Sequence, residues 1–296
     1  MEKITFKGWA NCIRLCNGET EVIVTTDVGP RIIRFGFVGR RNVFEEIPGQ
    51  LGGSGENEWM IRGGHRFWIA PEEKPKTYEA DNSLVPFEEI EGGVRIRQPV
   101  GALSGLAKTL DVSLDDATND VRVVHTLENP GDRPVRAAPW ALSVMARGGC
   151  AVIPLPARLA HSERLTHNQE WSLWGYTDFS DPRWTFGSHY IFFRQDAERG
   201  PNKLGILHRE GWVAYLVERF LFVKRFDAIA DAEYPDGNVN FETFSNEDFL
   251  ELESLGPIGV LEPGASVTHA EHWSLHAGVA PCATDEEVDA HVRPLV

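Results

Sequence analysis

No stretch of this sequence sustains a helical repeat for long; short runs rich in alternating and β-branched residues are instead cut off at close intervals by glycine and proline. Glu21–Thr26, Arg31–Phe35, Val94–Arg97 and Val121–His125 are each strand-length with a period of two. The 28 glycines and 18 prolines are spread through all 296 residues, so no linker or low-complexity segment divides the chain. Asp115–Asp120 reads as a hairpin connection, and Asn129-Pro130-Gly131-Asp132 as a turn joining neighbouring antiparallel strands. One helix is expected, at the tail, where Thr284 and Glu287 form a capping box ahead of Val288 and Val292. Many short strands with regular turns predict an all-β fold, a large antiparallel two-sheet sandwich with few short helices, in one domain over 1–296.

Charge narrows the partners. With 44 acidic against 29 basic residues, the formal charge is -15, which repels phosphate backbones and anionic lipid. Nucleic acid and membrane are therefore not expected partners. No apolar run follows the lysines near Met1, and no segment is long enough to span a bilayer, so neither a secretory leader nor an anchor is expected. The four cysteines lack paired metal-site spacing and are too few for a disulfide framework, which fits reduced thiols in the cytoplasm.

The segment Phe249–Ser254 carries the most chemistry. As a strand it places Leu250 and Leu252 on one face and Glu251 and Glu253 on the other, about 6.5 Å apart. Two carboxylates that close in a partly dry cleft push one pKa toward the range of a general base; on a solvated face they would be ordinary surface charge. His269, Glu271 and His272 cluster in sequence, but a strand turns His272 away from the other two, so no metal is expected there. No Gly-rich phosphate loop and no Gly-x-Ser-x-Gly elbow is present, which removes the common nucleotide and hydrolase readings.

Glu251-Leu252-Glu253-Ser254 followed by Leu261-Glu262-Pro263-Gly264, Ile61-Arg62-Gly63-Gly64 early on, and Thr126–Pro134 in mid-chain together resemble the galactose mutarotase and hexose-6-phosphate mutarotase superfamily. The resemblance implies a β-sandwich that interconverts sugar anomers without a cofactor, its partner a small-molecule sugar or sugar derivative; pairing of two copies of the chain stays open. It implies Glu253 as base, with Glu251 beside it and Arg62 forking onto sugar hydroxyls, unless Arg62 serves a structural ion pair. The mid-chain histidine of that family is absent from Ala138–Ser143, where Trp140 offers a stacking surface instead. His65 is then the expected substitute acid, with His189 and His167 behind it. Trp184 belongs to an aromatic stretch with Trp171, Trp174, Tyr176 and Tyr190, interleaved with Asp178, Asp181 and Arg183, a composition suited to sugars. Lys224, a charge within an apolar strand, faces either the cleft or a sheet edge. The expected activity is that of an aldose-1-epimerase-like isomerase; a non-catalytic carbohydrate-binding protein, or a sugar lyase or hydrolase, are the alternatives.

Overall fold

A computed structural model describes residues 1–296 as two antiparallel sheets packed face to face. In the eleven-stranded front sheet the strands Arg31–Phe37, Gly64–Ala70, Val135–Met145, Leu250–Leu255, Phe241–Ser245 and Asn202–Ile206 lie side by side in that order. The ten-stranded back sheet has Trp212–Val217, Phe220–Phe226, Ser266–Ala277 and Val121–Glu128 at its centre. The all-β sandwich read from the alternation is what the chain adopts. The capping box is formed as expected, starting a helix over Asp285–His291. No helix is long and apolar enough to cross a membrane.

Period-two patterning sets the layers. Along Leu250–Leu255, Leu250 and Leu252 enter the main core beside Phe222, Tyr215 and Trp273 of the back sheet. A second apolar cluster covers the other side of the front sheet, formed by Trp68, Trp140, Leu142, Leu255 and Ile258 with Trp59 and Tyr78 packed on it. The front sheet is therefore buried on both faces, and its outer face is where a cleft opens.

Two turns differ from the sequence reading. Asn129–Asp132 does not join neighbouring strands. It carries the chain from Val121–Glu128 in the back sheet to Val135–Met145 in the front sheet. Asn129 holds the crossing by donating to the carbonyls of Arg133 and Leu261, each at 2.8 Å. The Ile61–Gly64 segment is a turn rather than a strand: Arg62, Gly63 and Gly64 have φ of 55°, 94° and 70°. A Cβ at Gly63 would overlap the Glu45 carbonyl oxygen, so the tight entry into Gly64–Ala70 needs glycine there.

Candidate functional site

The pleat of four adjacent strands places one polar set on the outer face of the front sheet. Arg66 lies opposite Leu142, which lies opposite Glu253, which lies opposite Glu242. One step along, Trp68 faces Trp140; on the other side, Glu251 faces Phe244 and Phe244 faces Lys203. All of these side chains except Glu242, with Trp59, Tyr78, Glu72 and Tyr176 from the connecting loops, line a cavity of 190 Å³. That is smaller than the pockets of about 300–1,000 Å³ that take drug-sized ligands.

Every cation here is held by a carboxylate. Arg66 Nη1 donates to Glu251 Oε1 at 2.7 Å, while its guanidinium lies 4.3 Å over Trp68 and 5.2 Å over Trp59. Lys203 Nζ bridges two strands, 3.1 Å from Glu253 Oε2 and 2.5 Å from Glu242 Oε2. The Glu242 contact is a close charge pair without good hydrogen-bond direction, since neither of its buried oxygens has a hydrogen-bond partner. Lys203 also stands over Trp140 at 5.1 Å and Trp174 at 4.7 Å, two aromatic faces that favour its charge. The Trp140 indole N–H donates to Glu253 Oε2 at 3.1 Å. Glu253 Oε1 is buried with no hydrogen-bond partner.

Burial and charge compete at each titratable group. Burial disfavours the Lys203 ammonium, yet Glu253 and Glu242 outweigh it and lift its pKa above the usual lysine range. Burial drives the Glu242 carboxyl well above the ordinary value, Lys203 draws it back, and Glu253 and Asp236 push it up again. Burial likewise raises Glu251 against the pull of Arg66. The Tyr176 phenol is pushed up to about 12, mainly by burial, with Lys203 lowering and Glu253 raising it.

Of the residues singled out from sequence, Glu253, Glu251, Trp140 and Tyr176 meet in this cleft. The others lie elsewhere. Arg62 is fully buried, donating to the Gln50 carbonyl at 2.8 Å, Glu56 at 2.6 Å and Asn82 at 2.9 Å; of its two expected roles it fills the structural one. His65 points between the sheets, because alternation along Gly64–Ala70 sends it inward and Arg66 outward. Lys224 is neither in the cleft nor at an edge: it is fully buried between the sheets, 2.8 Å from Glu271. Trp184 stacks on Phe193 at 3.6 Å in the back sheet. His189 is exposed beside the C-terminal helix, its backbone N–H donating to Asp285 at 2.9 Å; His167 is exposed too. His272 is exposed, on the opposite face from the buried His269 and Glu271, as the alternation requires.

Sequence reading missed Arg66 and Lys203. The signal was there for Arg66, since a strand that buries His65 must expose its neighbour to the other face. Lys203 stands in a five-residue strand, Asn202–Ile206, too short to show a pattern.

Neither the family models nor the curated proteins compared with this sequence give a match. Solved structures do. The Slr1438 protein from Synechocystis sp. PCC 6803 superposes with a TM-score of 0.61 at 11% identity, over 94% of this chain and 100% of that one. A galactose mutarotase-like protein from Lactobacillus casei gives 0.58 at 12%, over 90% and 100%. Another galactose mutarotase-like protein, from Clostridium acetobutylicum, gives 0.56 at 9%, over 93% and 98%. Identities this low speak for the fold alone: the chain has the galactose mutarotase-like fold.

Proposed function

We propose that the cleft binds a single uncharged aldose and interconverts its anomers, with Glu253 taking the proton of the anomeric hydroxyl. One observation carries this reading: Glu253 lines an aromatic-walled cavity, its Oε2 held by Trp140 and Lys203 and its Oε1 buried and unpartnered. An isolated buried carboxylate oxygen calls for a donor, and a sugar hydroxyl supplies one. The aromatic walls suit the apolar faces of a pyranose. Arg66 and Lys203 are already neutralised by Glu251, Glu242 and Glu253, and Glu72 adds a further negative charge, so a sugar phosphate would meet no free cation among the lining side chains.

Ring opening also needs a proton donor at the ring oxygen. The expected acid, His65, lies on the far side of the sheet. Of the two cleft phenols, Tyr78 is engaged with Glu72, which leaves Tyr176, a group that stays protonated at neutral pH. Tyr176→Phe should lower anomer exchange, measured by NMR magnetisation transfer, by about 10²–10⁴-fold while tryptophan-fluorescence titration shows unchanged aldose binding. An unchanged exchange rate would remove Tyr176 from the mechanism. No histidine lines the cleft, and this favours a second reading, a binding protein without turnover. That reading predicts ligand-induced fluorescence changes with no accelerated exchange.

A further inference from the structure

Directly behind the cleft floor, between the sheets, sits a second polar cluster. Each floor strand that turns one residue to the cleft turns the next one to this cluster: Arg66 and His65, Leu142 and Ser143, Glu253 and Ser254. The back sheet contributes His125, Lys224, His269 and Glu271, all buried.

Glu271 is the hub. Its Oε1 is ion-paired with the Lys224 ammonium at 2.8 Å and accepts from the Ser254 hydroxyl at 2.5 Å, and its Oε2 accepts from the Trp273 indole at 2.8 Å. Lys224 also donates, at 3.0 Å, to the carbonyl of Leu252, the residue between Glu251 and Glu253. His269 Nε2 reaches Ser254 Oγ at 2.6 Å. His125 Nδ1 donates to the His269 carbonyl at 3.0 Å, which leaves its Nε2 to accept from His65 Nε2–H at 2.7 Å. His65 Nδ1 then accepts from the Ser143 hydroxyl at 2.9 Å. The ligand atoms of His65, His125 and Glu271 lie within 4.8 Å of one another, a spacing that would suit a metal. The imidazoles bond to each other, however, and Lys224 already supplies the cation.

We propose that this network is a positioning device: it locks the floor strands to the back sheet at the register where Arg66, Trp140 and Glu253 stand. Apolar packing between two sheets tolerates small slides, whereas a directional, fully buried polar network admits one alignment. Lys224, Ser254 and Glu271 are thereby positioning residues that act through Glu253 and never touch the sugar. The proposal rests on the reading of Glu253 as the base.

The test is the double substitution Lys224→Met/Glu271→Gln, which removes both charges together and leaves neither unpaired. Anomer-exchange kcat should fall by about 10–100-fold with KM within about twofold, the signature of a misplaced group. The control Arg34→Met/Glu21→Gln removes an ion pair of the same sheet outside the cleft, and should leave kcat within about twofold. Ser254→Ala, which keeps the charge pair, should lower kcat several-fold and stands in if the double variant does not fold. The ¹³C chemical shift of the Glu253 carboxyl gives a readout independent of turnover, and it should move in the double variant. Full kcat and an unmoved Glu253 carboxyl signal in the folded variants would overturn the proposal. Absent exchange in the unaltered protein would instead sink the base assignment, and the carboxyl signal would still decide whether the network acts on Glu253.

Discussion

Acidification should unfold this protein cooperatively between about pH 5 and pH 3. Four histidines are fully buried and, chiefly through burial, are held below the ordinary value: His65 far below, His125 below, and His208 and His269 at about 3. Folded, they stay neutral; unfolded, they take protons below about pH 6.5. The unfolded state therefore gains about 1.4 kcal/mol per pH unit per ring, roughly 4 kcal/mol per unit for His65, His208 and His269 together, with His125 adding in the same direction. A domain's whole stability is about 5–15 kcal/mol. Glu271 works in the same direction. Burial would raise its pKa, but the Lys224 ammonium outweighs burial and depresses it, so the stability it contributes above about pH 4.5 is lost below it. Glu45, Asp236, Glu242 and Glu251 oppose this, because burial raises them and they take protons first in the folded state. Their help saturates near pH 4.5, where the unfolded carboxyls are protonated as well, and below that the loss is steep. Circular dichroism against pH reads the transition directly. Native signal persisting at pH 3 would mean the interior histidines are not buried as neutral rings.

Lys203→Met should destabilise the fold by about 3–5 kcal/mol at pH 7. Glu242 and Glu253 lie directly opposite each other on paired strands, where Cβ atoms stand about 4.5–5.5 Å apart. Both are essentially unexposed, and Lys203 is the charge that bridges them. Its removal leaves two like charges in a dry site, the costliest outcome of breaking a buried ionic group. The companion Lys203→Met/Glu242→Gln should recover most of the loss by removing the repulsion. Lowering the pH should narrow the gap as the Glu242 carboxyl, which burial already raises, takes a proton. Urea denaturation measures all three. A single variant within 1 kcal/mol of the starting protein would mean that Lys203 does not carry the ionic bridge.

What the sequence made legible follows from the range of each signal. Alternation is local, so the strands, the sandwich and the opposed faces of Leu252 and Glu253 could be read from residues a few positions apart. The capping box at Thr284 is local too. Which sheet a strand joins is not local: Asn129–Asp132 has turn chemistry, and nothing in its residues says that the chain changes sheets there. The same limit misplaced the histidine. Alternation puts His65 and Arg66 on opposite faces, but which face borders the core depends on the strands beside them. The aromatic stretch divided in the same way, Tyr176 reaching the cleft while Trp184 packs into the back sheet. Lys224 and Glu271 lie 47 positions apart and share a charge pair only because their strands are neighbours.

The central claim, that Glu253 is the base of an aldose-binding cleft, is tested most directly by anomer exchange of free and phosphorylated aldoses, followed by NMR with the unaltered protein and with Glu253→Gln. Faster exchange is expected for an uncharged aldose, no acceleration for its phosphate, and a loss of at least about 10²-fold in Glu253→Gln with binding retained. Acceleration that survives in Glu253→Gln, or appears only for the phosphorylated sugar, would contradict it.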